Sequence, residues 1–278
     1  MPLGGDSKLD DSDLAGNSVY HKFSPRVGVG FPITDRTVFH IHYGIFYQQP
    51  NLQDLYVGED YLQYKAPLSG YYYAFGNPNL KPEQTTAYEI GLVQQLGDRG
   101  SLDITAYYKS VKNLVEVTTI PSNPAAFSSF RNRDFGTIKG VDISAKMRRM
   151  GRLMASVSYS LSYASGTGSS AETQRNIAWG FQPGVTEPPK VTSALNFDQR
   201  HNLTANLDYR FATNDGPKLM GGYPLANAGV NVLINAGSGF PYTPTTVYNA
   251  VTLANVASQP TGSINSSYGP WSFQIDAK

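Results

Sequence analysis

The feature that most constrains this sequence is a strict alternation of apolar and polar residues. It is clearest between residues 153 and 163, where the odd positions carry Leu, Ala, Val or Tyr, and positions 156, 158, 160 and 162 are all Ser. Successive side chains of a β-strand point to opposite faces, so this segment is predicted to be a strand with one apolar and one hydroxyl-rich face. No long segment has apolar residues at the helical spacing i, i+3, i+4 and i+7.

The same alternation recurs along the whole chain and predicts an all-β protein. The predicted strands cover residues 26–31, 39–47, 88–92, 102–109, 141–146, 153–163, 201–211, 230–235 and 273–278. The sequence therefore predicts about nine strands, the last of which is still running at Lys278.

The connections between these strands alternate in length. Short turns rich in Asp, Gly and Asn occur at residues 34–36, 97–100 and 150–152, with a somewhat longer one around 214–217. Long irregular segments separate them, at residues 48–84, 118–134, 166–198 and 241–270. Such long loops are uncommon in compact domains, whereas short turns at one end and long loops at the other are typical of outer-membrane barrels.

Composition supports a membrane setting for the apolar face. Charged residues make up 15% of the chain, below the roughly 25% usual for soluble domains. No apolar run approaches the roughly 18 residues of a transmembrane helix, which excludes a helical membrane protein. A closed sheet pairs its backbone groups internally, and strands of about 9–11 residues suffice to cross the bilayer. We therefore predict an antiparallel up-and-down transmembrane β-barrel, with residues 1–278 forming one incomplete, curved part of it in contact with outer-membrane lipid.

Charge and cysteine content exclude several other classes. The formal net charge is +1 and no block of Lys or Arg occurs, so a nucleic-acid partner is not expected. The absence of Cys excludes disulfides and thiolate metal sites. The first ten residues, MPLGGDSKLD, lack the basic and apolar regions of a signal peptide, so an export signal is expected upstream of Met1.

Motifs for catalysis are not found, and we expect neither an enzyme nor a cofactor. The sequence has no nucleophile elbow and no Walker loop, and Gly28-Val29-Gly30 lacks the third glycine and the following helix of a dinucleotide fingerprint. His40 and His42 share one strand face, the spacing of a two-histidine metal site, but no carboxylate or Cys completes the motif. Ordinary residues of a polar strand face are the alternative for this pair.

Two loop features are further candidates for ligand binding. Asp6, Asp10, Asp11 and Asp13 form an acidic cluster without the spacing of a calcium loop, so a solvated loop is the alternative. Tyr71, Tyr72 and Tyr73 lie in the long loop after the second predicted strand, which also holds Tyr56, Tyr61 and Tyr64. Amphipathic aromatic side chains suit ligand capture, and they equally suit loop packing or an interfacial girdle.

Several runs along the chain are similar to one known family, in the family's order. They are Phe23–Val29 with Pro32–Asp35, His42–Pro50, Gly76–Gln84, Tyr88–Gly91, Gly140–Val141, Asp198–Leu203, Gly237–Pro244 and Ile275–Lys278. On these runs the sequence resembles the barrel of TonB-dependent outer-membrane receptors, particularly the Oar-like group. The similar runs span nearly the whole chain.

The resemblance implies a barrel of about 22 strands in the bacterial outer membrane that imports a scarce or bulky ligand. It also implies energy supply by the TonB complex through an N-terminal plug. The plug, the first strands and the last strands are not among these residues, so we expect the sequence to be the later part of the barrel.

Two other functions agree with the alternating pattern. A passive outer-membrane channel or surface adhesion barrel would have the same strands without energy coupling. A soluble, secreted, carbohydrate-binding β-sandwich would instead pack its apolar face on a second sheet.

Overall fold

A computed structural model describes residues 19–56, 74–120, 127–173, 190–247 and 258–278. Its strands are β1 (Arg26–Thr34), β2 (Thr37–Gln48), β3 (Glu83–Leu96), β4 (Gly100–Ile120), β5 (Phe127–Met150), β6 (Leu153–Gly166), β7 (Ser193–Ala194), β8 (His201–Arg210), β9 (Gly229–Gly237), β10 (Pro241–Tyr242), β11 (Thr245–Val247), β12 (Ser258–Pro260), β13 (Ser267–Tyr268) and β14 (Ser272–Ala277). One short helix, α1, spans Leu52–Leu55. None of the helical structure in the described ranges is long and apolar enough to cross a membrane.

The long strands form one antiparallel sheet in simple chain order. Its path is β1-β2-β3-β4-β5-β6-β8-β9-β14, and the short β7 pairs with β6 beside this path. The predicted up-and-down topology of about nine strands in an incomplete curved sheet is confirmed. Elsewhere in the described residues, only the two-stranded pairs β10–β13 and β11–β12 occur.

The strand register aligns like side chains across the sheet. Ile104 of β4 lies opposite Ile143 of β5, which lies opposite Tyr159 of β6. Ser144 and Ser158 face each other one position along, on the other face. The alternation predicted from sequence therefore separates an apolar face from a polar face over the whole sheet.

Within the described residues the apolar face is uncovered, which is rare for a water-soluble sheet of this size. Val27, Val29 and Phe31 of β1 are 57%, 57% and 62% exposed, and Ile90 and Ile275 are exposed in the same way. The two-stranded pairs are the other sheets of the described structure, so no second layer packs on this face. The sandwich alternative is wrong for that reason.

The sheet has two different ends. At the end we call the turn end, two-residue or three-residue turns join β1 to β2, β3 to β4 and β5 to β6, and residues 211–228 join β8 to β9. At the turn end the Arg152 guanidinium binds the Asp215 carboxylate through Nε–Oδ2 (2.8 Å) and Nη2–Oδ1 (2.5 Å). The opposite end, called the loop end, carries the long connections.

The predicted loop at 118–134 is largely wrong. β4 continues to Ile120 and β5 starts at Phe127, so residues 127–134 are strand. The cause is a bulge: Asn113 has φ 61°, and the pairing of β4 with β5 shifts between Val111 and Val115. A bulge changes which face each side chain occupies, so the alternation breaks there and hides the strand.

The cluster of large buried apolar residues in the described ranges lies at this extension, whereas the buried apolar residues of the main sheet are Ala87, Ala164 and Ala236. Leu80, Val115, Val117 and Phe130 form one buried cluster against which Leu55, Ala74 and Ala171 pack. Phe75 pairs with Ser129 and its ring meets Phe127 edge-on at 5.8 Å. Both faces of the extended hairpin are therefore covered by protein.

Candidate functional site

The polar face of the sheet is a continuous hydrogen-bonding wall. Asp142 accepts from Ser160, Thr105 Oγ1 donates to Asp103 Oδ1 at 3.0 Å, and Thr204 Oγ1 donates to Asn235 Oδ1 at 3.1 Å. All of these groups except Asn235 border a shallow groove of about 370 Å³ across β4, β5, β6 and β8. Such a wall can bind the polar surface of another molecule through many weak hydrogen bonds.

The two histidines lie on this polar face, each over a glycine of a neighbouring strand. A Cβ on Gly91 would lie 2.4 Å from His40 Nε2, and one on Gly28 would lie 2.6 Å from His42 Cδ2. The His40 and His42 rings are 5.3 Å apart between centroids, and His40 Nε2 lies 3.4 Å from Thr105 Oγ1. No group of three His, Cys, Asp or Glu residues in the described ranges is arranged to hold a metal ion.

An acidic cavity of about 290 Å³ lies at the loop end of the polar face. Gln48 and Glu83, which face each other in the β2–β3 register, form one side. Asp54 of α1 and Asp134 of β5 also line the cavity. Three carboxyl groups from three separate parts of the chain therefore border one space, which we call the acidic cavity.

A buried ion cluster adjoins the acidic cavity. Lys190 Nζ lies 2.6 Å from Asp134 Oδ1 and also binds the Glu116 carboxylate, and Arg133 Nε lies 3.4 Å from Glu116 Oε1. Asp134 and Glu116 are each only 2% exposed. Asp134 Oδ1 also accepts from Thr167 Oγ1 at 2.7 Å, while the buried Oδ2 has no hydrogen-bond partner within the described part of the chain.

Burial sets the protonation behaviour of these carboxyls. Desolvation raises the pKa of Asp54, although a hydrogen bond from Asn51 opposes the rise. Burial also raises the pKa of Glu83 and of Glu116, and for Glu116 the Lys190 ammonium opposes it. A nearby cation or hydrogen-bond donor stabilises a carboxylate that burial has deprived of water. The cavity therefore favours a positively charged or hydrogen-bond-donating group.

The segments singled out by resemblance hold the loops onto the sheet. Asn77 Nδ2 donates to Phe130 O at 2.9 Å, and Asn77 Oδ1 accepts from Asn79 N at 3.0 Å. Lys81 exchanges two hydrogen bonds with the Asn132 side chain, at 2.7 and 2.9 Å. The segment Gly76–Gln84 is therefore held against the extension of β5.

A second set of contacts secures the segments around β10 and β13. Tyr268 OH donates to Asp198 Oδ2 at 2.6 Å, and the Arg200 guanidinium lies 4.3 Å from the Tyr268 ring centroid. Asn265 Nδ2 donates to Ala194 O at 2.7 Å and to Asn196 Oδ1 at 2.8 Å. These contacts hold the segments around β10 and β13 in place at the loop end.

The predicted loop candidates fall mostly beyond the described structure. Tyr71, Tyr72 and Tyr73 lie outside the described residues, as do Tyr61, Tyr64 and the cluster of Asp6, Asp10, Asp11 and Asp13. Tyr56 is described and is 73% exposed. Their roles in ligand binding stay predictions.

Sequence reasoning missed the residues of the acidic cavity and ion cluster. Asp54 and Lys190 stand singly in predicted loops, with no motif spacing that marks them, and Glu83 lies in the Gly76–Gln84 run, to which no binding role is assigned. One signal was available: Glu116 lies between Val115 and Val117, and a charge inside a β-branched run needs a partner when buried.

One antiparallel sheet with an uncovered apolar face and a polar face defines the wall of a transmembrane β-barrel. The chain belongs to the TonB dependent receptor-like beta-barrel family, whose model matches residues 4–276. The predicted family is confirmed, while the narrower Oar-like assignment stays a prediction.

Known transporters are similar to this chain over only part of their own length. The vitamin B12 transporter BtuB of Vibrio vulnificus (strain YJ016) is 27% identical over 136 residues, 49% of this chain and 18% of the transporter. The structure of the FrpB iron transporter from Neisseria meningitidis (F3-3 variant) is 17% identical at a TM-score of 0.54, covering 91% of this chain and 31% of that protein. The outer membrane transporter YddB from Escherichia coli is 9% identical at a TM-score of 0.56, covering 93% and 34%. At these identities the structural likenesses show the fold alone.

Proposed function

We propose that the chain is part of the barrel of an outer-membrane receptor that imports a scarce or bulky ligand with energy from the TonB complex. Family membership over residues 4–276 is the observation that carries this proposal. The apolar face then contacts outer-membrane lipid and the polar face lines the lumen. The loop end lies outside the cell and the turn end in the periplasm, as is general for outer-membrane barrels.

The acidic cavity is the proposed contact of this chain with the imported ligand. It lies where the lumen wall meets the extracellular segments, and Asp54 and Glu83 gain from a donor or cation because burial raises the pKa of both. Its volume of about 290 Å³ is enough for one end of a ligand and not for a bulky molecule. The ligand is therefore expected to present an amine, guanidinium or similar donor to this side of the lumen.

Tyr71, Tyr72 and Tyr73 are proposed as further ligand contacts, since they follow α1 in the same extracellular connection as Asp54. Contact with TonB is proposed to run through an N-terminal plug domain. Neither proposal requires a catalytic group or a cofactor.

The test measures which compounds the cells remove from the growth medium. A strain without its own receptor is complemented with the full-length protein, in the presence and absence of functional TonB, and depleted compounds are identified by mass spectrometry. The proposal expects compounds whose depletion needs both proteins. Depletion that persists without TonB would mean a passive channel, and the absence of any receptor-dependent depletion would contradict import.

The contribution of the acidic cavity is tested in the same assay with Asp54→Asn/Glu83→Gln. Loss of two charge-assisted contacts predicts a fall of about tenfold or more in depletion rate at low ligand concentration. Asp98→Asn is the matched control, because its carboxylate is at the turn end and largely exposed. Equal depletion by the cavity variant and the wild type would exclude the cavity as a ligand contact.

A further inference from the structure

The apolar face of the sheet has a depression near the turn end. Its volume is about 470 Å³, within the roughly 300–1,000 Å³ range of small-molecule sites. It lies between β3, β4, β5 and β6, and we call it the turn-end groove. The groove belongs to neither the acidic cavity nor the polar wall.

Side-chain size along the register explains the depression. Gly100, Ala145 and Ala155 supply small or absent side chains on β4, β5 and β6. Larger apolar residues surround them, with Leu96 before the β3–β4 turn and Met147 and Met150 at the end of β5. A depression with a mainly apolar lining, bordered by longer apolar side chains, can hold a hydrocarbon chain.

The groove has a positively charged border at its turn end. Arg99 lines the groove and is exposed, and Arg99 Nη1 donates to Arg149 O at 3.4 Å. Arg148 is exposed as well, and its backbone N–H donates to Arg99 O at 2.7 Å, so the two residues are neighbours.

The other charges at this border leave an excess of cations. Asp98 lines the groove, but its carboxylate lies 3.7 Å from Arg36 Nη2. Lys146 is a further lining residue, and the Arg149 guanidinium binds Asp208. Arg99, which lines the groove, is thus left to meet an anion at the level where the apolar surface ends.

We propose that the turn-end groove binds an anionic glycerophospholipid, with one acyl chain along Ala145 and Ala155 and the phosphate at Arg99. This assignment rests on the proposed function for its orientation, since it places the turn end in the periplasmic leaflet. An exposed cation near an anionic lipid surface attracts it, and the apolar floor selects a chain and not a soluble phosphate.

The test measures lipid retained by the full-length receptor in mild detergent, by native mass spectrometry during titration with phosphatidylglycerol or phosphatidylethanolamine. The proposal expects one phosphatidylglycerol to bind with clear preference. Arg99→Ala should weaken that binding about fivefold, the effect of one cation at an anionic lipid surface. Ala155→Leu should weaken it at least as much by filling the groove.

Ala205→Leu is the matched control for the groove, because Ala205 lies on the same apolar face opposite Val157 and outside the groove lining. Equal affinity for the two lipids, or equal loss in Ala205→Leu and Ala155→Leu, would overturn the proposal. Retention of lipopolysaccharide that depends on Arg99 would overturn it too, by placing this end in the other leaflet. The assay needs no TonB, so its result is independent of whether import occurs.

Discussion

The main sheet and the loop-end extension of β4 and β5 use the same backbone pairing in opposite surroundings. In the main sheet Ile104 is exposed and Ile143 and Leu203 are only partly buried, on a face that no protein layer of the described residues covers. In the extension Val115 and Val117 are buried, and Glu116 between them is buried too. One strand thus passes from a region that needs lipid on one face to a region that needs protein on both.

The difference teaches what each region depends on. The main sheet tolerates polar changes on its polar face but not on its apolar face. The extension depends on the pairing of buried charges, because an uncompensated buried ion is costly.

Loss of Lys190 should have the largest effect. Lys190→Met leaves Glu116 and Asp134 buried without their shared ammonium, and removal of one partner from a buried pair costs roughly 3–5 kcal/mol. Hydrogen exchange of the full-length receptor should show loss of protection in residues 114–120 and 127–134. Lys109→Met, where the ammonium lies over the Tyr107 ring, is the control. Unchanged protection in Lys190→Met would mean that the ion cluster does not stabilise the extension.

A charge on the apolar face should have the next largest effect. Ile143→Arg places a cation toward lipid in the main-sheet part of β5, at a cost of roughly 2–4 kcal/mol near the bilayer midplane, whereas Ser144→Arg points to the polar face near Asp103. Unfolding by urea in lipid vesicles, with heat-modifiable migration in detergent gels, measures both. Equal losses for the two variants would contradict the assignment of the faces.

The effect of Asn77→Ala on stability should be smaller and confined to the loop end. The change leaves the Phe130 carbonyl without the Asn77 amide donor in a buried site, which costs roughly 1–3 kcal/mol. Proteolysis of the full-length receptor should become faster near residues 74–82. Asn202→Ala, at an exposed position of the polar face, should leave the rate unchanged. A wild-type rate for Asn77→Ala would show that this hydrogen bond is dispensable.

The smallest expected effect is at the turn end, where the carboxyl of Asp215 behaves in the opposite way to the buried Glu116. The Arg152 guanidinium lowers the pKa of Asp215 from 3.8 to about 2. A lowered pKa in the folded state means that the pair stabilises the fold above about pH 4 and that this contribution is lost as pH falls through about 2.

Asp215→Asn therefore tests this pair through the thermal unfolding midpoint between pH 2 and pH 6. The variant should unfold slightly below the wild type at pH 6, and the two midpoints should converge toward pH 2. A constant difference across the range would show that ionisation of Asp215 is not involved.

The main sheet could be predicted because the two faces of each strand meet different surroundings, and the strand's own residue pattern shows this. Residues 153–163 alternate with period two, and β6 covers Leu153–Gly166. A lipid on one face and water on the other impose a pattern that is local in sequence. The register between strands follows from keeping the apolar faces together.

The extension and the acidic cavity could not be predicted in the same way. The bulge at Asn113 interrupts the alternation, and burial on both faces removes the contrast that marks a strand. Glu116, Asp134 and Lys190 meet only because the fold brings distant segments together. Single charged residues in separate segments carry no spacing that sequence reasoning can use.

The stacking of imidazoles over glycines on the polar face has an evolutionary consequence. A Cβ at position 91 would lie 2.4 Å from His40 Nε2 and 2.6 Å from Thr105 Oγ1, and one at position 28 would lie 2.6 Å from His42 Cδ2, so either change requires a facing side chain to move. Across related receptors we expect covariation, with larger residues at position 91 appearing where position 40 has become small, and likewise for positions 28 and 42. A lineage with alanine at 91 and histidine kept at 40 would break that rule. The spacing of His40 and His42, which resembles half of a metal site, is then explained by the packing of each ring over a glycine of a neighbouring strand.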